Sequence, residues 1–194
     1  MTILDQMMPV FDFKEFHSVT VRAPLPNAYA ALKQVSLSEM ASPATWLLDL
    51  RALPARLTGR DRPKFAADRP LLEAMRGTGF VLLAEAPGSE VVIGMIGQPW
   101  KLVGGDRPHI RDTESFRSFD KPGYARIVTN LMVIPGTQSG RVRCTTETRV
   151  HVPDPAARWQ FSLYWRVISI GSGLLRQLWL NAIKRRAERN ALQS

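Results

Sequence analysis

Three histidines and a single cysteine are the side chains of this chain best suited to proton transfer or nucleophilic attack. His17 falls on the apolar side of a segment with strand periodicity and could act as a general base, but the sequence identifies no partner acid for it. His109 lies close to Asp106 and Asp112, yet neither the spacing nor a second histidine matches a known metal-ligand pattern. Cys144 alternates onto the covered face of a predicted strand, which suits an inert buried thiol. The residues therefore assign no catalytic group, no metal and no cofactor.

Motifs typical of phosphate binding, hydrolysis and nucleic-acid binding are absent from the sequence. It has no G-x-x-x-x-G-K-[ST] phosphate loop and no G-x-S-x-G nucleophile elbow. The net charge is +9, but the cations are scattered. The group from Lys184 to Arg186 falls in the last turns of a predicted helix, where cations favourably oppose the helix dipole. No nucleic-acid-binding motif accompanies them, so we expect no nucleic-acid partner.

Length and composition predict a single domain over residues 1–194. A chain of 194 residues can form one well-packed core, and its 45% hydrophobic and 22% charged residues are ordinary for a globular protein. The single cysteine excludes an internal disulfide, which favours a reducing, cytoplasmic setting. The uncharged stretch from Ile127 to Gly140 is shorter than the roughly 18 apolar residues of a membrane helix. Charged residues between Met1 and Glu15 predict no secretory leader.

Hydrophobic periodicity and turn residues predict a strand, then helices, then two hairpins, then a long helix. Alternation from Glu15 to Ala23 is typical of a strand with one apolar side. A short helix is expected from Asn27 and another from Ser42-Pro43, followed by a polar, proline-containing loop up to Pro70. The two hairpins pair residues 80–85 with 90–98 and residues 124–134 with 141–152.

The last predicted strand separates its side chains into two faces. One face carries Val142, Cys144, Thr146, Thr148, Val150 and Val152, and the other carries Arg141, Arg143, Thr145, Glu147, Arg149 and His151. The neighbouring strand places Thr129 on a similarly apolar face. Such alternation predicts a sheet with one covered face and one face in water.

The covering element is predicted to be a C-terminal helix that begins after Asp154, a good N-cap residue. A straight helix from there to Asn190 would span about 55 Å. A compact chain of this size is shorter than that, so an interruption is expected at Gly171-Ser172-Gly173. The stripe expected to face water carries Arg158, Ser162, Arg166 and Ser169. The stripe expected to face the sheet carries Gln160, Tyr164, Val167 and Gly171, flanked by Phe161, Leu163 and Ile168.

Strands grouped in hairpins, rather than alternating with helices, predict an α+β fold with an antiparallel sheet. The order of elements resembles the START-like superfamily, also called SRPBCC, whose helix-grip fold wraps a curved antiparallel sheet around a long C-terminal helix. The segments that carry the resemblance are the opening strand with its helix at Asn27, Glu90 to Gly97, Thr146 to Val150, and Trp159 to Trp165. The resemblance implies a cavity between sheet and helix that accepts hydrophobic ligands. Its members include lipid-transfer proteins and polyketide cyclases, so it implies no particular chemistry.

The candidate ligand residues are those predicted to line that cavity. They are Thr129, Thr146 and Thr148 from the sheet, with Gln160, Phe161, Tyr164, Val167 and Ile168 from the helix. A few polar groups among apolar ones are typical of a ligand pocket. The alternative is that each polar group hydrogen-bonds a neighbour inside an ordinary core. The leading hypothesis is a non-catalytic protein that binds or carries a hydrophobic small molecule or lipid.

Two other functions stay open at this point. A polyketide cyclase-like or dehydratase-like enzyme acting in the same cavity would need an ionisable residue there, and His17 is the candidate. An interaction module would use the end of the C-terminal helix, where apolar residues precede the basic cluster. That face carries Leu174, Leu178 and Ala182, with Leu175, Trp179 and Ile183 alongside. It could dock on a partner or on an anionic membrane surface, or pack on the protein's own domain.

Overall fold

A computed structural model of the chain describes residues 1–40, 68–76, 78–101 and 104–193. Its strands are β1 (Phe13–Val21), β2 (Val81–Ala86), β3 (Glu90–Gly97), β4 (Ala125–Pro135) and β5 (Val142–His151). Its helices are α1 (Ile3–Met7), α2 (Leu25–Gln34), α3 (Leu71–Arg76), α4 (Thr113–Arg117) and α5 (Pro155–Ala191), with a 3₁₀ turn at Leu37–Glu39. The predicted opening strand, short helix, two hairpins and long helix are confirmed. The helix expected from Ser42-Pro43 and most of the loop after it lie outside the described residues.

The five strands form one antiparallel sheet in the order β1-β5-β4-β3-β2. The predicted hairpins supply the β2–β3 and β4–β5 pairs. The first strand lies beside the last, with Phe13 opposite Val150 and Val21 opposite Val142. Helix α5 packs against β1 and β5 on one face of this sheet, which we call the inner face. The structure therefore confirms the predicted α+β class and has the helix-grip arrangement.

Helix α5 begins as predicted and continues without the predicted interruption. The Asp154 carboxylate accepts hydrogen bonds from the backbone N–H groups of Ala156 and Ala157, so it caps the helix. The helix then runs unbroken through Gly171 and Gly173 to Ala191. The expected break is wrong because Gly173 serves another purpose. It is buried where the helix packs against β1, so its missing side chain permits packing rather than breaking the helix.

The inner face is closed at one end by α2 and the second half of α5. Leu32 of α2 and Ile183 of α5 are fully buried, and they belong to one apolar cluster with Leu131 and Val133 of β4. Cys144 lies in the same cluster, and burial raises the pKa of its thiol to about 12. The thiol therefore stays protonated at neutral pH, which agrees with the inert role expected of it.

The second half of α5 is core rather than a free surface. Trp179, Ala182 and Ile183, three of the residues proposed for an interaction face, are buried against the protein's own domain. The basic end of the helix is also engaged, because the guanidinium groups of Arg186 and Arg189 form ion pairs with the Glu39 carboxylate. Among the described residues, no helix combines the length and hydrophobicity that crossing a bilayer requires.

The outer face of the sheet was expected to be in water, and this prediction is wrong. Helix α1 lies on it, and Leu4 and Met8 are buried in a second apolar cluster with Val92, Val128 and Phe116. Of the polar side chains that suggested a wet face, Glu147 and Arg149 pair with each other beneath this cover, whereas Arg143 stays exposed. A strand that alternates apolar and charged residues can therefore have both faces covered when the charged residues find partners.

Arg149 is the centre of that polar network. Its guanidinium donates to the Glu147 carboxylate at 2.7 Å, to the Asp5 carboxylate at 2.6 Å and to the Met8 backbone carbonyl at 2.9 Å. On the neighbouring strands, the Glu90 carboxylate accepts from the Asn130 side-chain amide at 2.7 Å. Because every arm of the guanidinium is bonded, the charge is tolerated although the residue is only 7% exposed.

Asp5 makes the attachment of α1 sensitive to acid. A backbone hydrogen bond from Thr2, followed by the hydrogen bond from Arg149, lowers the pKa of the Asp5 carboxyl from 3.8 to about 2. A carboxylate with a lower pKa in the folded state stabilises that state above its unfolded pKa, and this contribution is lost as the pH falls towards 2. We expect the stability difference between wild type and Asp5→Asn to shrink from pH 4 to pH 2. Urea denaturation across that range measures it, and a constant difference would contradict the assignment.

Candidate functional site

A polar cluster lies on the inner face at the edge strand β1, where apolar side chains would be expected. Glu15 and His17 point inward from β1, and they lie opposite Thr148 and Thr146 of β5. The alternation that buries Val21 on the same strand gives both side chains this direction, because residues two apart share a face. Arg176 of α5 reaches the same place from the helix side.

Glu15 and His17 form a hydrogen-bonded pair. The His17 Nε2 atom lies 2.8 Å from the Glu15 Oε1 atom. With the ring proton on Nε2, the carboxylate holds the imidazole in one orientation and leaves Nδ1 as a hydrogen-bond acceptor. No hydrogen bond joins Nδ1 to any residue in the described part of the chain. The pair thus has the parts of an acid–base group, namely an imidazole and a carboxylate that orients it.

Arg176 brings a positive charge to this cluster. Its Nε donates to the Thr148 hydroxyl at 3.1 Å, and its Nη1 donates to the Ser172 hydroxyl at 2.8 Å. The same Nη1 lies 3.8 Å from Glu15 Oε2, a buried carboxylate oxygen that accepts no hydrogen bond from the described residues. The arginine therefore offsets the carboxylate charge across the helix–strand contact while leaving one carboxylate oxygen available as an acceptor.

Gly173 permits this close contact between α5 and β1. A Cβ atom at this position would lie 2.6 Å from Glu15 Oε1 and 3.2 Å from His17 Cε1, both shorter than van der Waals contact. Gly171, two residues earlier, would place its Cβ in open space. The same residue type thus serves a packing role at one position and has no such role at the other.

The two glycines provide a matched pair of variants. Gly171→Ala is expected to raise the free energy of unfolding by about 0.5–1 kcal/mol, because alanine restricts the unfolded chain and favours the helix. In Gly173→Ala, the added methyl group displaces the Glu15–His17 pair, so we expect this variant to be less stable than Gly171→Ala by about 1–3 kcal/mol. Chemical denaturation of both variants measures the difference. Equal stabilisation by the two alanines would show that the contact at Gly173 is loose.

Glu15 and His17 of this cluster lie on the floor of an open cleft between β1 and α5. The cleft has a volume of about 620 Å³, within the range of roughly 300–1,000 Å³ found for small-molecule sites. Its apolar walls are Trp165, Ile170 and Leu174 of α5. Glu15 and His17 supply the polar floor, and Lys14, Ser169, Gly173 and Gln177 complete the lining.

The three predicted threonines are buried next to this floor, and their hydroxyl groups are satisfied within the sheet. Thr148 donates to the Thr129 hydroxyl at 2.8 Å, Thr129 donates to the Glu147 carbonyl at 3.1 Å, and Thr146 donates to the Asn130 carbonyl at 2.7 Å. None of the three lines the cleft. These hydrogen bonds fit the alternative interpretation, in which each buried hydroxyl bonds a neighbour inside an ordinary core. Their role in ligand binding stays a prediction.

The predicted helix residues are not brought together with the threonines. Phe161 is fully buried in an aromatic cluster, and Ile168 is half-buried. Gln160, Tyr164 and Val167 instead line a second groove of about 530 Å³ with Trp100 and Trp159. There the Trp100 indole N–H donates to the Gln160 side-chain oxygen at 2.9 Å.

The covered stripe of α5 therefore lies elsewhere than predicted. Gln160 is exposed and Val167 is 77% exposed, whereas Ala157, Phe161 and Gly173 are buried. Ser169, expected to face water, lines the cleft. The physical reason is that α5 is apolar on several sides, so its sequence does not mark the side that contacts the sheet.

Sequence reasoning missed Glu15 and Arg176. The signal for Glu15 was present, since a carboxylate two residues before His17 in a strand lies on the same face as that histidine. Arg176 gave no comparable signal, because its partners Thr148 and Glu15 are far away in the sequence and are brought near only by the fold. Across the described ranges, no three His, Cys, Asp or Glu side chains are placed so that they could hold a metal ion.

Comparisons with known proteins leave the family unidentified. No family model matches the sequence, and no curated protein matches it. Among solved structures, the chain is similar to a hypothetical protein from Helicobacter pylori at 10% identity, with 94% of this chain and 93% of that chain covered and a TM-score of 0.44. It is also similar to the Zhui aromatase/cyclase from Streptomyces sp. R1128 at 12% identity, with 91% and 94% covered and a TM-score of 0.33. Likenesses this weak carry no inference about function, and membership of the START-like superfamily stays a prediction.

Proposed function

We propose that the protein binds a hydrophobic small molecule or lipid between the sheet and the C-terminal helix, in the cleft between β1 and α5. The observation that carries the proposal is the composition of this cleft. Apolar walls formed by Trp165, Ile170 and Leu174 stand over a polar floor formed by Glu15 and His17. Small-molecule sites commonly combine mostly apolar walls with a few polar groups that orient the ligand.

The polar floor would orient the ligand by hydrogen bonding. Glu15 Oε2 is a buried acceptor that accepts no hydrogen bond within the described part of the chain. His17 Nδ1 is a second potential acceptor. A ligand hydroxyl or amine in the cleft would instead reach the exposed parts of these side chains, since the Glu15 side chain is 13% and the His17 side chain 24% exposed. The apolar remainder of the ligand would lie along Ile170 and Leu174.

Probe binding to two serine-to-tryptophan variants tests this location. Ser169 lines the cleft, and Ser162 lies one heptad earlier on the same side of α5, outside the lining. We expect wild type to bind the apolar dye N-phenylnaphthylamine, measured by fluorescence titration. Ser169→Trp fills the cleft and should weaken binding by about tenfold or more, which corresponds to 1.4 kcal/mol. Ser162→Trp should bind like wild type, and equal weakening in both variants would contradict the location.

A second candidate function is acid–base catalysis on the bound molecule. The hydrogen bond between His17 and Glu15 favours it, because a general base needs an oriented imidazole or carboxylate within reach of substrate. The pair borders the cleft, so a bound molecule would contact it. Conversion of a candidate substrate, followed in wild type and in His17→Gln, separates the functions. Turnover that disappears in His17→Gln while binding persists would establish an enzyme, and binding without turnover in wild type would leave a carrier.

A further inference from the structure

The first half of α5 carries a row of exposed apolar side chains that the fold leaves uncovered. We call it the apolar stripe, and it consists of Trp159, Leu163, Val167, Ile170 and Leu174. Their spacings of four, four, three and four residues place them on one side of a helix. Their exposure ranges from 45% for Leu163 to 79% for Ile170.

The apolar stripe lies away from the side of the helix that packs on the sheet. In the same half of α5, that packed side carries Ala157, Phe161 and Gly173, all buried. The helix thus has apolar residues both toward its own core and toward solvent. Single exposed apolar residues are normal on protein surfaces, but a contiguous row along four turns of helix marks an interaction surface.

The charge of α5 decides what could cover the apolar stripe. The helix carries seven basic residues against Glu188 as its single acidic residue. Arg158, Arg176, Lys184, Arg186 and Arg189 form ion pairs with carboxylates of the protein itself. The positive charge offered beside the apolar stripe therefore comes from Arg166, on a protein whose net charge is +9. Arg166 is exposed immediately beside Val167. A second copy docked helix to helix would bring two such basic helices together, and like charges oppose that contact. An anionic surface has the complementary charge.

The apolar stripe is also continuous with the cleft. Ile170 and Leu174 belong to both, because they form one wall of the cleft and their outer surfaces are exposed. Trp159 lies at the other end of the stripe, and tryptophan is the side chain most typical of the boundary between lipid headgroups and acyl chains. A surface that covers the stripe would therefore lie directly at the mouth of the cleft.

We propose that the apolar stripe docks on the surface of an anionic phospholipid bilayer, with the mouth of the cleft facing the lipid. The apolar side chains insert at the level of the headgroups, and Arg166 together with the net charge of +9 attracts the anionic lipids. Docking itself depends only on the stripe and the charge. The passage of a ligand between bilayer and cleft rests in addition on the proposed function.

Vesicle co-sedimentation of the full chain tests the docking. We expect binding to vesicles of equal parts phosphatidylcholine and phosphatidylglycerol, and weaker binding to phosphatidylcholine alone. The informative variant is Val167→Arg, with Val10→Arg as its matched control, since Val10 is 69% exposed and lies outside α5. Insertion of the stripe predicts that Val167→Arg weakens binding by about tenfold, because an apolar side chain is lost from the inserted surface. Val10→Arg should bind at least as tightly as wild type.

Three results would overturn the docking. Absence of wild-type binding to the anionic vesicles is the first. Tighter binding by Val167→Arg, equal to that of Val10→Arg, is the second, because it would indicate adsorption by charge alone. The third is a Val167→Arg variant that unfolds at lower denaturant or changes oligomeric state in sedimentation, which would show that the protein itself or a second copy covers the stripe.

The dye titration keeps this inference separate from the proposed function. Val167 does not line the cleft, so Val167→Arg is expected to bind N-phenylnaphthylamine like wild type. Vesicle binding without dye binding would uphold docking and reject the ligand proposal. Dye binding without vesicle binding would do the reverse.

Discussion

Replacing Arg149 by leucine is expected to lower the free energy of unfolding by about 3–5 kcal/mol, the usual cost of removing one member of a buried charge network. The substitution leaves the Glu147 carboxylate, which is largely buried, without its guanidinium partner. It also removes the bonds that hold Asp5 and the Met8 carbonyl, and with them the attachment of α1 to the outer face of the sheet. Urea denaturation followed by circular dichroism measures the loss.

Arg143→Leu is the matched control for this prediction. Arg143 lies on the same strand and the same face as Arg149, but it is exposed. Its replacement should change the free energy of unfolding by no more than about 0.5 kcal/mol, as is usual for surface positions. Similar losses in the two variants would show that strand β5 tolerates no leucine on this face, and the network would not be the cause.

Replacing Phe161 by alanine should also lower the free energy of unfolding by about 3–5 kcal/mol, because it opens a cavity in a packed core. Phe161 is fully buried, and its ring lies 4.9 Å from that of Phe13 and 5.7 Å from those of Trp100, Tyr164 and Trp165, measured between centroids. This residue was predicted from the sequence as a wall of a ligand cavity. The aromatic contacts indicate that Phe161 is a core residue. The loss of stability in Phe161→Ala should therefore be measurable in protein that holds no ligand.

Val167→Ala provides the comparison on the same helix. Val167 is exposed, and alanine favours a helix, so this substitution should leave the free energy of unfolding within about 0.5 kcal/mol of wild type. Both variants are measured on protein from which bound small molecules have been extracted. A loss below about 1 kcal/mol for Phe161→Ala would contradict the packing and would support the original assignment of a cavity wall.

The strands were predictable because their signals are local. In β5 the alternation of Val142, Cys144, Thr146 and Thr148 with more polar residues repeats every two residues, and only a strand has that period. The N-cap at Asp154 was equally local, since the carboxylate bonds N–H groups two and three residues away. Elements that are determined by residues close together in the sequence are therefore predicted well from it.

The burial of the outer face could not be predicted in this way. Arg149 finds its partners Asp5 and Met8 more than a hundred residues away in the sequence. Read alone, a strand that alternates apolar and charged residues is typical of a sheet with one face in water. The charges are compatible with burial only because α1 supplies both a carboxylate and a backbone carbonyl.

The prediction of which side of α5 faces the sheet was wrong for a different reason. Apolar residues occur on both its packed side and its apolar stripe, so periodicity gives two acceptable faces and no means of choosing between them. Gly171 and Gly173 show the same ambiguity at single positions. Their sequence neighbourhoods are nearly identical, yet only Gly173 lies against β1. The choice depends on Glu15 and His17, which are remote in the sequence.

Native mass spectrometry of the gently purified protein tests the ligand claim most directly. We expect a species heavier than the polypeptide by the mass of one apolar molecule per chain, released by organic extraction and reduced or absent in Ser169→Trp. Wild-type protein that shows only the polypeptide mass, and that also fails to take up N-phenylnaphthylamine, would contradict the claim that the cleft between β1 and α5 holds an apolar ligand.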